Sequence, residues 1–179
     1  MRALIGFDRG VSSLWAAVIP HNALFDAIFS FFSLLGGSIY FWLIIVAVLF
    51  IFEEVRNHWF IIHFIFAFGS ATLLTNEVLK NMVGRTRPFL EYGMQQKFCP
   101  SDFSFPSGHA TSAFAAATIL SAYDKKRAWI YYAGAVLISY SRIYLYCHYL
   151  LDVVAGALIG YLISSLVLKI SFVKKKKVR

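Results

Sequence analysis

Residues 148–179 read HYLLDVVAGALIGYLISSLVLKISFVKKKKVR, a long apolar run that ends in a cluster of basic side chains. About 20 consecutive apolar residues cross the hydrocarbon core of a bilayer, so this run predicts a membrane-spanning helix. Lysine and arginine concentrate on the cytoplasmic side of such helices. Residues 174–179 therefore predict a basic tail in the cytoplasm.

The whole chain shares this apolar character. Of its 179 residues, 59% are hydrophobic and only 15% are charged, whereas a soluble domain of this size exposes far more polar surface. The net charge of +8 is typical of some nucleic-acid-binding proteins. Here, however, the basic residues flank apolar runs, which favours membrane anchoring and contact with anionic headgroups. We therefore predict no nucleic-acid partner and no separate soluble domain.

Apolar runs recur along the chain. They predict five spans, at residues 34–52, 58–80, 106–122, 128–146 and 148–171. A polar segment with several glycines and prolines, residues 81–105, predicts a loop with short helices. The fold class that follows is all-α, an integral membrane helical bundle of about five transmembrane helices.

The N-terminal segment has a different pattern. Residues 11–31 are apolar, but Pro20, His21, Asn22 and Asp26 interrupt them. This pattern predicts one or two amphipathic helices that lie along the membrane interface, and the alternative is a strained first span. The predicted organisation is an interfacial segment at 1–33, a bundle at 34–173 and a tail at 174–179.

The basic residues also predict the orientation of the bundle. Lys125 and Arg127 lie in a turn that, like the tail, belongs in the cytoplasm. The 81–105 loop then faces outward, and so do Cys99 and Cys147. No CxxC spacing is present, so a thiolate metal site is not expected. Free thiols are the main expectation, and a disulfide is the alternative if the outer side is oxidising.

Three polar clusters lie at the outer ends of different predicted spans. They are Lys80-Asn-Met-Val-Gly-Arg-Thr-Arg87-Pro88, Pro106-Ser107-Gly108-His109, and Ser141-Arg142 followed by His148 and Asp152. Because the predicted spans pack side by side, a bundle brings the three clusters to one outer site.

The first chemistry that this site predicts is the binding of a phosphate. Lys80, Arg87 and Arg142 place three positive charges at one depth, where only an anion with several oxygens satisfies them. Ser107 and Gly108 open a helix, whose N-terminal N–H groups and dipole also attract an anion. The missing side chain of Gly108 lets the backbone approach closely.

The second chemistry is nucleophilic attack. His148 and Asp152 are four residues apart and share one helix face, so the carboxylate can accept the Nδ1 proton of His148. The Nε2 atom is then free to attack phosphorus. His109 is the candidate general acid that protonates the leaving oxygen. No metal is required, because side chains supply the positive charge.

Together the motifs K-x6-RP, PSGH and SR-x5-H-x3-D resemble those of the type 2 phosphatidic acid phosphatase family, which also includes vanadium haloperoxidases and bacterial acid phosphatases. They are complete, in the family's order, and cover residues 80–152. The resemblance implies a helical core, a phosphohistidine on His148 and general-acid work by His109. It also implies phosphate binding by Lys80, Arg87, Ser107, Gly108 and Arg142. Many relatives have six spans, and this chain has residues 1–31 in place of the first.

We therefore expect a hydrolase that needs no metal or cofactor and acts on a lipid phosphomonoester or pyrophosphate. Candidate substrates are undecaprenyl pyrophosphate, phosphatidylglycerol phosphate, phosphatidic acid and the 1-phosphate of lipid A. The alternatives are a lipid-to-lipid phosphotransferase and a non-catalytic lipid-phosphate binder or transporter. The expected location is the inner membrane, with the site on the periplasmic face. Besides substrate and bilayer, no obligate protein partner is expected.

Several residues near the motifs carry weaker expectations. Glu77, one turn before Lys80, is expected to pair with that lysine. Asp102 and Ser104 are expected to cap the third span. Arg85 is interpreted as a loop or headgroup contact.

Overall fold

The computed structural model describes residues 2–37, 42, 44–45, 47–48, 58–96 and 98–170. This part of the chain contains helices and no strands. The helices are α1 (Arg2–Ala17), α2 (Ala23–Gly37), α3 (His58–Leu73), α4 (Lys80–Val83), α5 (Pro88–Glu91), α6 (Gly108–Tyr123), α7 (Ala128–Tyr144) and α8 (Leu150–Ile170). A π-helical turn, Leu74–Leu79, joins α3 to α4, and a 3₁₀ turn, Lys125–Arg127, precedes α7.

The helices agree with four of the five predicted spans. The second span corresponds to α3 with its π-helical extension, and the last three correspond to α6, α7 and α8. About half of the predicted first span, 34–52, lies outside the described residues, and the basic tail lies entirely outside them. Two described segments, Trp59–Glu91 and Leu150–Lys169, are long and apolar enough to cross a membrane, and Ala23–Gly37 is a shorter apolar helix.

Helix α6 forms the centre of the bundle and packs against α3, α7 and α8. Its buried face is built largely from small side chains, such as Ala113, Ala116 and Ala117. Small residues let helix backbones approach closely inside a membrane bundle. These small residues allow close contact between α6 and its neighbours, beside larger core side chains such as Phe60 and Ile138.

Two glycines on α8 make the closest of these approaches. A Cβ atom added at Gly156 would overlap the carbonyl oxygen of Ser107 and lie 3.1 Å from Thr111 Oγ1. A Cβ atom added at Gly160 would lie 2.9 Å from the backbone nitrogen of Ala115. Since both glycines face backbone atoms of α6, they set the distance between α6 and α8.

The N-terminal segment forms two helices, one of the two arrangements expected for residues 11–31. Helix α1 packs against α7 and α8, and α2 packs against α6 and α7. Phe29, Ser33 and Gly36 of α2 are buried. The predicted boundary at residue 33 falls inside α2. Residues of α2 before and after this boundary therefore both pack in the bundle.

Cys99 and Cys147 form a disulfide, with their Cα atoms 5.3 Å apart. The main expectation of two free thiols was therefore wrong. The 81–105 loop folds back across the end of α7, a long-range approach that the spacing of the two cysteines does not reveal. The bond fastens this loop to the junction between α7 and α8.

Reduction of this disulfide is expected to destabilise the protein. For a separation of 48 residues, the chain-entropy relation gives a loss of roughly 4 kcal/mol in the free energy of unfolding. Thermal unfolding in detergent, with and without a reducing agent, measures the change. The double variant Cys99→Ser/Cys147→Ser is the control, because a reducing agent should not affect it further. Equal midpoints for the reduced and oxidised wild type would contradict the prediction.

Candidate active site

A cavity of about 330 Å³ opens where α2, the π-helical turn and the start of α6 meet. Its polar wall contains residues from two of the three sequence clusters and from the outer loop. These residues are Asn76, Lys80, Asp102, Gly108, His109 and Ser112. The third cluster is buried and does not line the cavity. Arg87 of the first cluster connects it to the cavity wall, because Arg87 bonds to both Asp102 and His148.

His148 lies between α7 and α8 and is almost fully buried. Its Nε2 atom lies 2.9 Å from Arg87 Nη1. Because a guanidinium group only donates hydrogen bonds, Nε2 must be the acceptor, and the ring proton is on Nδ1. Nδ1 lies 3.7 Å from Asp152 Oδ2, which is too long for a hydrogen bond. The structure thus brings the predicted pair together, at a longer distance than expected.

The Asp152 carboxylate is held by three donors. Ser104 Oγ donates to Oδ2 at 2.5 Å, the Tyr149 N–H donates to Oδ2 at 2.9 Å, and Arg85 Nη1 donates to Oδ1 at 2.7 Å. The expectation that Ser104 caps the third span was wrong, because its hydroxyl points to Asp152. The cap of α6 is Ser107, whose Oγ accepts from the Ala110 N–H at 3.4 Å.

The cations Lys80 and Arg87 both bond to the carboxylate of Asp102. The expectations that Asp102 caps the third span and that Lys80 pairs with Glu77 were therefore wrong. The outer loop brings Asp102 over the buried ends of the two cations, whereas Glu77 is exposed on the helix surface. Asp102 itself is half exposed, with 46% of its side-chain surface accessible.

Arg142, the third predicted cation, occupies the last turn of α7 and is fully buried. Its Nη1 donates to Ser33 Oγ of α2 and to the Phe98 carbonyl oxygen, the latter at 3.3 Å. Its Nε is buried and has no hydrogen-bond partner among the described residues. A buried donor of this kind is costly unless a further acceptor binds there, which is consistent with an anion site.

The start of α6 differs in one detail from the expectation of free N–H groups. The Ser107 N–H donates to the backbone carbonyl oxygen of Asp152 at 2.9 Å, so this amide is engaged within the protein. Gly108 does provide a close approach, because a Cβ atom added there would lie 2.6 Å from Asn76 Oδ1.

His109 reaches the cavity from the first turn of α6, beside the glycine pair that ends α2. A Cβ atom added at Gly37 would lie 2.8 Å from His109 Nε2. His109 and Lys80 both line this cavity. Ser33 and the Gly36-Gly37 pair were missed as site residues in the sequence. The available signal was a double glycine at the end of an apolar run, which marks a close approach.

Taken together, the geometry suits a tetrahedral anion and attack on its central atom. Lys80 lines the cavity, and the buried Arg87 shares its partner Asp102 and lies next to an imidazole with an unprotonated Nε2. A second imidazole lies on the cavity wall. Such a combination supplies charge stabilisation, a nucleophile and a proton donor.

The Asp102 carboxylate already pairs with two of these cations, so it competes with any anion that binds there. Burial alone raises the pKa of the Asp102 carboxyl, but the hydrogen bond and charge of Lys80, with the charge of Arg87, lower it below its usual value. The carboxylate therefore stays ionised in the neutral and mildly acidic range. The stability that its ion pairs contribute is fully present at pH values above the ordinary carboxyl pKa. It is lost as the pH falls through the lowered pKa of Asp102.

We expect Asp102→Asn to bind inorganic phosphate more tightly than the wild type, by roughly fivefold, the equivalent of about 1 kcal/mol for a partly exposed ion pair. The asparagine keeps the shape but removes the competing charge. Titration calorimetry at neutral pH measures the difference, and Asp124→Asn, in the turn at the opposite end of α6, is the control. Weaker phosphate binding by Asp102→Asn would show that the carboxylate supports the site instead.

Comparison with known proteins adds an independent line of information. A family model described as the PAP2 superfamily matches residues 60–176. A curated protein named undecaprenyl-diphosphatase, from Sulfolobus acidocaldarius, is 38% identical over 139 residues, which are 75% of this chain. The match spans 65% of that protein, a little under two thirds of its length.

Two crystal structures have the same architecture. LpxE of Aquifex aeolicus superposes with a TM-score of 0.73 at 32% identity, over 89% of this chain and 93% of that one. A transmembrane PAP2-type phosphatidylglycerolphosphate phosphatase of Bacillus subtilis superposes with a TM-score of 0.74 at 27% identity, over 100% and 90%. The predicted fold class, an all-α membrane bundle, is confirmed.

Proposed function

The chain belongs to the PAP2 superfamily, and from this premise we propose that it is a membrane lipid phosphatase that acts through a phosphohistidine. The proposal rests on the position of the His148 ring. Its unprotonated Nε2 lies 2.9 Å from Arg87, a side chain of the type that binds phosphate. A non-catalytic lipid-phosphate binder would need the cations but would not need this nucleophile.

In the first step, the Nε2 lone pair of His148 attacks phosphorus and the bond from phosphorus to the leaving oxygen breaks. Arg87 gives up its hydrogen bond to Nε2 and donates to an equatorial phosphate oxygen. Lys80 leaves Asp102 and donates to a second equatorial oxygen. The Asp152 carboxylate stabilises the positive charge that develops on the ring. His109 donates a proton to the leaving oxygen.

In the second step, water attacks the phosphorus of the phosphohistidine. His109, now unprotonated, accepts a proton from this water, the P–N bond breaks and inorganic phosphate leaves. The electron pair of that bond returns to Nε2, which restores the starting tautomer. Because Lys80, Arg87 and Arg142 supply the positive charge, the proposed mechanism is metal-independent and uses no cofactor.

The proposed substrates are lipids that carry a phosphomonoester or a pyrophosphate. The names of the similar proteins favour undecaprenyl pyrophosphate and phosphatidylglycerol phosphate, and phosphatidic acid and lipid A 1-phosphate share the same chemistry. We place the site on the periplasmic face of the inner membrane and the C-terminus in the cytoplasm. The basic turn at Lys125–Arg127, at the opposite end of α6 from His109, supports this orientation.

The test is phosphate release from these four lipids by the purified protein in detergent with excess EDTA. We expect release from at least one lipid phosphate, no loss of rate in EDTA, and inhibition by orthovanadate, which mimics pentacoordinate phosphorus. Release from none of the lipids would refute the proposed function. Loss of the rate in EDTA, restored by a divalent cation, would refute only its metal independence.

A further inference from the structure

Arg85 is the residue of the first motif that the proposed mechanism leaves without a role. It lies on the side of Asp152 away from His148, and its Nη1 donates to Asp152 Oδ1 at 2.7 Å. Its guanidinium carbon lies 3.9 Å from the centre of the Tyr149 ring. Only 18% of its side chain is exposed. Arg85 lies in the loop between α4 and α5, as expected, and its guanidinium contacts Asp152 and Tyr149 of the protein itself.

The second anion on Arg85 comes from the N-terminal helix. Asp8 Oδ2 of α1 lies 2.7 Å from Arg85 Nη2, at an angle that makes the contact ionic rather than a hydrogen bond. Asp8 is buried, with 1% of its surface exposed. A buried carboxylate is costly to leave unpaired, so Asp8 and Arg85 hold each other in place.

Helix α1 also caps the helix that carries Asp152. Asp8 Oδ1 accepts from the Leu151 N–H at 3.0 Å, and Ser12 Oγ accepts from the Leu150 N–H at 2.7 Å. These are the first amides of α8, which have no acceptor inside their own helix. The caps of a helix normally come from the residues just before it, whereas here they come from a different helix.

From these contacts we infer that α1 is a positioning element for the catalytic pair, acting through Asp8 and Arg85. The charges alternate along a continuous chain from Asp8 to Arg85 to Asp152, and Asp152 faces His148. The two caps fix the first turn of α8, and the ion pair fixes the direction of the Asp152 carboxylate. A nucleophile's supporting carboxylate is effective only when it is held in one orientation.

Two substitutions of Asp8 should have different effects. Asp8→Asn keeps an oxygen for the Leu151 N–H and loses only the ionic contact with Arg85. Asp8→Ala loses both. Arg9→Gln is the matched control, because Arg9 is the next residue of α1 and makes an exposed ion pair with Glu91.

For turnover of a lipid phosphate, which rests on the proposed function, we expect kcat to fall about tenfold in Asp8→Asn and about 100-fold in Asp8→Ala, because a misplaced catalytic group costs up to about 10²-fold in rate. KM should change by less than about twofold, since the phosphate-binding cations are untouched. Arg9→Gln should keep the wild-type kcat. Wild-type kcat in Asp8→Ala would overturn the inference.

Hydrogen exchange gives a second readout that needs no turnover. Asp8→Ala should speed exchange at the first turn of α8 and leave α3 unchanged. If the wild type hydrolyses no lipid phosphate, the proposed function fails, while this exchange result still decides the inference. Unchanged exchange at α8 would overturn it, and so would a raised KM with faster exchange throughout the bundle, which indicates a general packing role.

Discussion

His148→Ala is expected to release phosphate at least roughly 10⁴-fold more slowly than the wild type, because removal of the proposed covalent nucleophile eliminates the pathway rather than weakening it. The remaining cations can still bind and polarise the phosphate, so KM should change little. Single-turnover and steady-state phosphate release measure the loss. His63→Gln is the control, since His63 contacts Tyr123 at 2.6 Å in the core, and it should stay within a few-fold of the wild type.

The same variant tests the intermediate directly. Rapid quenching of the wild type with a ³²P-labelled lipid phosphate should trap an acid-labile, alkali-stable protein phosphate, as expected for a P–N bond. His148→Ala should trap none. If His148→Ala released phosphate at the wild-type rate, or if the label were found on another residue, His148 would not be the nucleophile.

Gly156→Ala is expected to lower kcat about 100-fold. The added methyl group would overlap the carbonyl oxygen of Ser107, a backbone atom that cannot rotate away. Helices α6 and α8 must then separate, which moves the turn carrying Ser107 and His109 away from Asp152. A displacement of about 1 Å in a catalytic group commonly costs about 10²-fold in rate.

Gly134→Ala is the matched control for this change. It places the same methyl group in helix α7, where a Cβ atom would have no neighbour within 4 Å. Its activity should equal that of the wild type, and its thermal stability should be equal or slightly higher, because alanine favours a helix. Equal activity in Gly156→Ala and Gly134→Ala would show that the α6–α8 distance does not control the reaction.

The spans and the three motifs were accessible from the sequence because each depends on local signals. Apolar runs of membrane length predict helices directly, and the ends of α6, α7 and α8 differ from the predicted ends by a few residues. The motif residues meet in the structure because their positions at helix ends are set by those same runs.

The partners of the motif residues were not accessible, because they come from distant segments. Asp102 pairs with Lys80 across 22 residues, and Asp8 pairs with Arg85 across 77. Asp102 and Ser104 resemble ordinary helix caps in the sequence, and only the path of the folded loop gives them other partners. The same holds for the cysteines, which give no indication of their distance.

The disulfide also has a topological consequence. It closes a covalent ring from Cys99 to Cys147, and α6, α7 and the turn between them all lie on this ring. A single peptide-bond break in the Lys125–Arg127 turn would therefore leave both halves of the molecule joined as one covalent species. His109 and Arg142 would stay tethered to His148 even in a nicked protein.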